Sequence, residues 1–148
     1  MIQTKQMKID TLIKLSLIIL LFAESLSAQE NAPKGKIKIT DGDTFSLSIK
    51  NKPVLKIRLV AIDAPEKKQE YGSKCTGKLK NLLKGNEIEI INYGTDRYGR
   101  TLGRVIRDGV DVNLEMVKIG CAWLYDDAKA LTSDLQTVYK EAFENARS

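Results

Sequence analysis

The run Val54 to Ile62 (VLKIRLVAI) constrains this chain more than any other segment. It has the apolar character of a buried strand, yet Arg58 is embedded in it. A charge among apolar neighbours is costly unless it is paired. The fold must therefore either bring a carboxylate to Arg58 or turn the guanidinium toward a ligand. The run stops at Asp63-Ala64-Pro65-Glu66, where Pro65 has no N–H to continue a ladder.

The rest of the pattern falls around this strand. Ile37 and Ile39 alternate with Lys36 and Lys38, and Phe45, Leu47 and Ile49 alternate with Ser46 and Ser48. Period two of this kind predicts half-buried strands, joined here by the polar turn Asp41-Gly42-Asp43-Thr44. A helix is predicted next, capped by Ser73, with Cys75, Leu79, Leu82 and Leu83 on its apolar face and Gly85 ending it. Glu87 to Tyr93 and Thr101 to Arg107 supply two further strands around the turn Gly94 to Arg100. Asp111 is a predicted cap for a short helix that stops at Gly120. Ser133-x-x-Gln136 has the form of a capping box. It would open a last helix with Leu135, Val138, Ala142 and Phe143 on one face. Five short strands with inserted helices suggest an α+β protein: a five-stranded OB-like Greek-key β-barrel with about three packed helices. Strand count alone leaves other α+β folds open.

The N-terminus has the character of an export signal. Lys5, Lys8 and Lys14 precede the short apolar run Leu15 to Ala23, and Ser25 to Ala28 offers small residues for cleavage. That run is shorter than the roughly 20 residues a membrane span needs. The expected organisation is a signal over residues 1–28, a loose lead-in over 29–35, and one folded domain over 36–148, secreted or periplasmic and without stable membrane association after cleavage. A monomer is expected. In an exported chain Cys75 and Cys121 could form one disulfide or stay as two small buried thiols.

The net charge of +5 suits a polyanionic partner without requiring one. The chain has no histidine, so any hydrolytic chemistry must use carboxylates, guanidinium groups, lysines or an oxygen-ligated metal. Three constellations supply such groups: Asp41-Gly42-Asp43; Arg58 followed by Asp63-Ala64-Pro65-Glu66; and Asp96-Arg97-Tyr98-Gly99-Arg100. Each has a plain reading, as a turn, a structural ion pair or a hairpin. Together they hold what phosphodiester hydrolysis demands: hard oxygen ligands for a cation, planar donors for phosphate oxygens, and a carboxylate to take a proton from water.

In this order the motifs resemble the staphylococcal-nuclease family. The family pattern is an Asp-Gly-Asp-Thr turn, then Arg-Leu-x-x-x-Asp-x-Pro-Glu, then Asp-x-Tyr-Gly-Arg, and here it falls on Asp41–Thr44, Arg58–Glu66 and Asp96–Arg100. The resemblance implies calcium carboxylates at Asp43 and Asp63, a backbone-carbonyl ligand at Ala64, and an outer acidic residue at Asp41. It implies Glu66 as general base, Arg58 and Arg100 as phosphate-clamping arginines, and Tyr98 and Tyr125 as substrate-site tyrosines. The implied activity is a Ca²⁺-dependent endonuclease acting on DNA, RNA or both and leaving 3′-phosphates. A catalytically inactive OB-type module that binds nucleic acid or protein is the alternative; it would be expected to have lost some of these residues. The loop between Glu66 and Tyr71 is shorter than in the type enzyme. The Gly-Leu-Trp ending common in the family does not follow the last helix, and a weakened C-terminal dock is the corresponding expectation.

Overall fold

The strand pattern closes into two sheets. The computed structural model describes residues 35–85 and 87–148. The expected signal segment, and the lead-in up to residue 34, lie outside the described residues. Lys36–Ile39 (β1) pairs antiparallel with Thr44–Ser48 (β2), and β2 with Leu55–Leu59 (β3). β3 then runs parallel to Thr101–Arg107 (β6), which pairs antiparallel with Glu89–Thr95 (β5). Val110–Asp111 (β7) adds to β6. Five of the six strands follow the order β1-β2-β3-β6-β5, with β7 beside β6, and no β1–β5 pairing closes the sheet among the described residues. A separate ladder joins Ile62–Asp63 (β4) to Trp123–Leu124 (β8).

The architecture is thus α+β, but the expected five-stranded barrel is corrected to eight strands in two sheets among the described residues, without closure. The main cause lies in the Arg58 run. What reads as one strand from Val54 to Ile62 breaks after Leu59, because Ala61 turns the chain with φ 70°. A left-handed residue cannot continue a pleat. The turn is held from outside: the Ala61 N–H donates to Asp127 Oδ1 at 2.8 Å, and its carbonyl accepts from the Tyr125 N–H at 3.0 Å. The chain beyond it is thereby free to pair with β8 instead of β2.

Three α-helices pack on this frame: Gly72–Leu82 (α1), Val112–Lys118 (α2) and Ser133–Arg147 (α3). Among the described residues no helix is long and apolar enough to cross a membrane. Asp111 caps α2 as expected, accepting from the Leu114 N–H at 3.1 Å. Next to it Asn113 is fully buried. Its Nδ2 donates to the carbonyls of Val60 and Gly103, and its Oδ1 accepts from the Val105 N–H. One side chain thus ties α2 across the point where β3 breaks.

The other two predicted caps are corrected. Ser73 does not cap α1; its hydroxyl donates to the Lys67 carbonyl, and the helix starts at Gly72 after Tyr71, two residues earlier than a Ser73 cap implies. The Ser133–Gln136 box does not form either. The Gln136 side chain turns back to the Leu131 carbonyl at 2.7 Å, while its N–H bonds the Thr132 carbonyl. On α3 it is Tyr139, not Val138, that faces the core, since its hydroxyl lies 3.0 Å from both Asp111 carboxylate oxygens. The pKa of that hydroxyl is pushed well above its ordinary value, by burial first and then by the Asp111 charge.

Cys75 and Cys121 form a disulfide with their Cα atoms 5.2 Å apart. It ties α1 to the segment entering β8 across a sequence separation of 46 residues. Constraint of the unfolded chain over such a loop is worth up to about 4 kcal/mol. The double variant C75A/C121A is expected to lose about 2–4 kcal/mol in urea unfolding, and adding reductant to the wild type should lower its unfolding midpoint comparably.

Candidate functional site

The turn after β1 delivers the first carboxylates. The N–H groups of Thr40 and Asp41 both donate to the Thr44 carbonyl, and the Asp43 N–H donates to Asp41 Oδ1 at 3.1 Å. Gly42 is necessary here, because a Cβ would come within 2.7 Å of the Ala64 Cβ. This approach lays the turn against the segment that carries Asp63 and Ala64. Asp43 is buried as a result, only 5% exposed. Its Oδ1 accepts from the Thr44 hydroxyl at 2.7 Å and its Oδ2 from the Ala64 N–H at 3.2 Å.

Arg58 meets this carboxylate from β3, where the register sets it opposite Thr44. Its Nη1 donates to Asp43 Oδ2 and its Nη2 to Asp63 Oδ1, the latter at 2.8 Å. The buried charge that the sequence left unpaired thus bridges two aspartates. Burial works against the cation, but the fields and hydrogen bonds of Asp43 and Asp63 outweigh it and hold the guanidinium above its ordinary value. Tyr125, about half exposed, lies against it with 5.3 Å between the guanidinium carbon and the ring centroid.

Arg100 arrives from the hairpin between β5 and β6. Asp96 organises that turn, accepting from the N–H groups of Tyr98 and Arg100 and from Arg100 Nε at 2.7 Å. So oriented, Arg100 Nη1 reaches to 3.5 Å from Thr44 Oγ1, the hydroxyl that bonds Asp43. Tyr98 is exposed, and its ring lies near both Arg97 and Arg100, at 4.9 and 5.4 Å.

Glu66 is held by its backbone rather than by its side chain. Its N–H donates to Gln69 Oε1 at 2.7 Å, and its carbonyl accepts from the Gln69 N–H at 2.8 Å. Gly72 presses on the same carbonyl, where a Cβ would stand only 1.9 Å away. The carboxylate is exposed yet close enough to Asp41 to act on it. Asp41 is pushed up to about 6, chiefly by burial, then by Asp43 and to a smaller extent by Glu66.

Asp41, Asp43, Asp63 and Glu66 therefore crowd one edge of the fold, with Arg58 paired to two of them. Four carboxylates against so few cations leave an excess of negative charge, which a hard divalent cation would relieve. The donors are all oxygen, as such an ion requires. Among the described residues no cluster of three or more His, Cys, Asp or Glu side chains could hold a metal alone. A cation here would rest on two carboxylates, the Ala64 carbonyl and water.

Three residues that help build the site were not among the expected site residues. Thr44, quoted only as part of a turn, links Asp43 to Arg100. Gln69 anchors Glu66. Asp127, which has no motif of its own, fixes the Ala61 turn from 66 residues away. Burial raises the proton affinity of its carboxyl, and the Ala61 N–H and Arg58 pull the other way.

A family model described as staphylococcal nuclease homologue matches residues 56–148. The chain belongs to this family. Among its relatives, an "Uncharacterized endonuclease" of Haemophilus influenzae is 38% identical over 133 residues, covering 90% of this chain and 72% of that protein. An "Uncharacterized endonuclease" of Escherichia coli O157:H7 is 46% identical over 91 residues, 61% of this chain and 59% of its own length. The "Micrococcal nuclease" of Shigella flexneri is 36% identical over 98 residues, 60% and 56% of the two chains. The match to the family model takes in Arg58, Asp63, Glu66 and Arg100, whereas the Asp41–Asp43 turn lies before it.

Asp96 offers a test of how this family member orients Arg100. Desolvation raises its proton affinity, but the hydrogen bonds from Arg100 and from the Tyr98 N–H prevail and hold it below its ordinary 3.8. A lowered folded-state value stabilises the fold above the unfolded value and loses that contribution as pH falls through the folded one. D96N is therefore expected to be less stable than wild type at pH 7, with a deficit that shrinks as the pH drops below 3.8. Urea unfolding of both proteins across the acid range checks this; a deficit independent of pH would contradict it.

Proposed function

We propose that this protein is an exported endonuclease that hydrolyses phosphodiester bonds of DNA, RNA or both, with Ca²⁺ as cofactor and 3′-phosphate products. One observation carries the reading: Arg58 and Arg100 both lead to Asp43, one directly and one through Thr44, within a single hydrogen-bonded chain. Two guanidinium groups converging on a carboxylate cluster form an arrangement suited to an anionic substrate and a cation together. The names of the relatives, "endonuclease" and "Micrococcal nuclease", support the reaction class.

The proposed chemistry follows from charge. A phosphodiester is already anionic, and attack by water increases the charge on its equatorial oxygens. Arg58 and Arg100 supply planar donors that match pairs of such oxygens and stay protonated. To do so Arg58 exchanges its carboxylate partners for phosphate, which frees Asp43 and Asp63 to act as ligands. Bound Ca²⁺, held by Asp43, Asp63 and the Ala64 carbonyl with Asp41 outside them, would neutralise phosphate charge. Glu66 is the group left to accept the proton from the attacking water, and its exposed position gives water access. Tyr98 and Tyr125 flank the two arginines as substrate contacts. Export is supported by the apolar N-terminal run behind its lysines and by the disulfide, which an oxidising compartment sustains.

Two results are expected. E66Q and R58A should each lower the rate of single-stranded DNA cleavage by at least about 10²-fold, the usual cost of losing one general base or charge stabiliser; near-normal turnover in either would refute the assignment. Chelation should abolish cleavage while the far-UV circular dichroism and unfolding midpoint show a folded protein, and Ca²⁺ should restore activity better than Mg²⁺, which holds its waters in stricter geometry. Salt-sensitive binding of the same strands without any cleavage would identify a non-catalytic module instead.

A further inference from the structure

A second basic feature lies outside the site. An open groove of about 620 Å³ runs between β1 and α1. Its walls carry five lysines: Lys36 and Lys38 on β1, Lys80 on α1, Lys84 just past the end of α1, and Lys67 immediately after Glu66. All five are exposed, and no acidic side chain is among the described residues lining the groove. Ile37, Ile39 and Leu83 supply its apolar surface.

The groove is continuous with the site at one end. β1 leads directly into the Asp41–Asp43 turn, and a Cβ on Gly42 would lie 3.5 Å from the Cys75 Cβ near the start of α1. From there the groove extends along both elements to Gly35 and Gly85. β1 is also an edge strand: among the described residues it pairs with β2 alone. Ion pairing does not explain these lysines, since none of the five takes part in a salt bridge among the described residues.

We propose that this groove is the track for the sugar-phosphate backbone of a single-stranded polynucleotide, holding the nucleotides on one side of the bond to be cut. The inference rests on the nuclease reading for the position of that bond, but the groove's polyanion affinity can be measured without turnover. A row of flexible point charges suits successive phosphates without reading bases, and the apolar strip can take the faces of bases or sugars. The track makes long strands better substrates than short ones by lowering KM, with little effect on the chemical step.

The test uses K36Q/K38Q/K80Q/K84Q, which spares Lys67 beside Glu66, together with the two half-variants K36Q/K38Q and K80Q/K84Q. Binding of a fluorescein-labelled oligothymidylate longer than about 16 nucleotides, enough to overrun a typical single-strand site, is followed by anisotropy in chelator across a salt series. The fourfold variant should bind at least about tenfold more weakly, and its log–log salt slope should fall by about 3, at ~0.7 per lost phosphate contact. Each half-variant should lose about half of that slope. In Ca²⁺, KM for the long strand should rise in parallel, while kcat/KM on a 5′-phosphorylated dinucleotide stays at the wild-type value. An unchanged affinity and salt slope in the fourfold variant, confirmed folded by its unfolding midpoint, would overturn the proposal. So would binding to phosphatidylglycerol vesicles that the substitutions abolish while strand binding persists, which would assign the groove to a membrane surface. If the wild type cuts nothing yet binds strands through these lysines, the track stands and the nuclease reading falls.

Discussion

Everything near the site depends on how one buried guanidinium is compensated. Arg58 lies in a strand whose neighbours, Ile57 and Leu59, are fully buried, and it is itself only 8% exposed. An uncompensated charge at that depth would not be tolerated by a fold of ordinary stability. Two aspartates from different segments close on it, one before β2 and one at β4. The constraint also acts in the other direction. Asp43 is even more buried than Arg58 and lies beside Asp41, so without the guanidinium the carboxylates would have each other as neighbours. The ion pair is therefore a structural requirement of the fold.

The frame around this pair serves to place Asp63. A continuous β3 would carry the chain away along the sheet; the turn at Ala61 returns it. A left-handed alanine is unfavourable and persists only where surrounding contacts determine it. Asp127, the backbone of Tyr125 and the buried Asn113 amide provide those contacts. The same turn creates the β4–β8 ladder and, through β8, brings Tyr125 to the face of Arg58. Strain at one residue thus accounts for the split sheet, the position of the Asp63 carboxylate and the aromatic contact of the guanidinium.

Local chemistry was legible in the sequence and long-range docking was not. The Asp41–Thr44 turn, the Asp111 cap and the need of Arg58 for carboxylates follow from a few adjacent residues, and the structure contains each of them. The break at Ala61 left no trace, because alanine has no preference for φ 70° and the cause is Asp127 on the far side of the fold. Helix phase was also hidden. Val138 and Tyr139 are both compatible with an apolar stripe through Leu135 and Ala142, and only the Asp111 carboxylate selects the tyrosine. The two serine caps failed for a related reason. Close packing of the Glu66 carbonyl on Gly72 sets where α1 begins, and the Leu131 carbonyl draws away the Gln136 side chain. For the site, the motifs located the charged groups, whereas Thr44 and Gln69, which align them, act through contacts that ordinary turn patterns do not announce.

The absence of histidine gives this arrangement its character. A site built on imidazole would change charge in the physiological range, whereas the guanidinium groups here keep theirs. On the proposed function, recognition of a phosphodiester then rests on the exchange of fixed charges around Arg58. The guanidinium of Arg58 satisfies Asp43 and Asp63. A phosphate alone would draw it away and leave those carboxylates exposed to one another, and a cation alone would compete with it for them. Only the two ligands together leave every charge paired. On the proposed function, this predisposes the site to bind metal and substrate cooperatively, with Arg58 as the element that couples them.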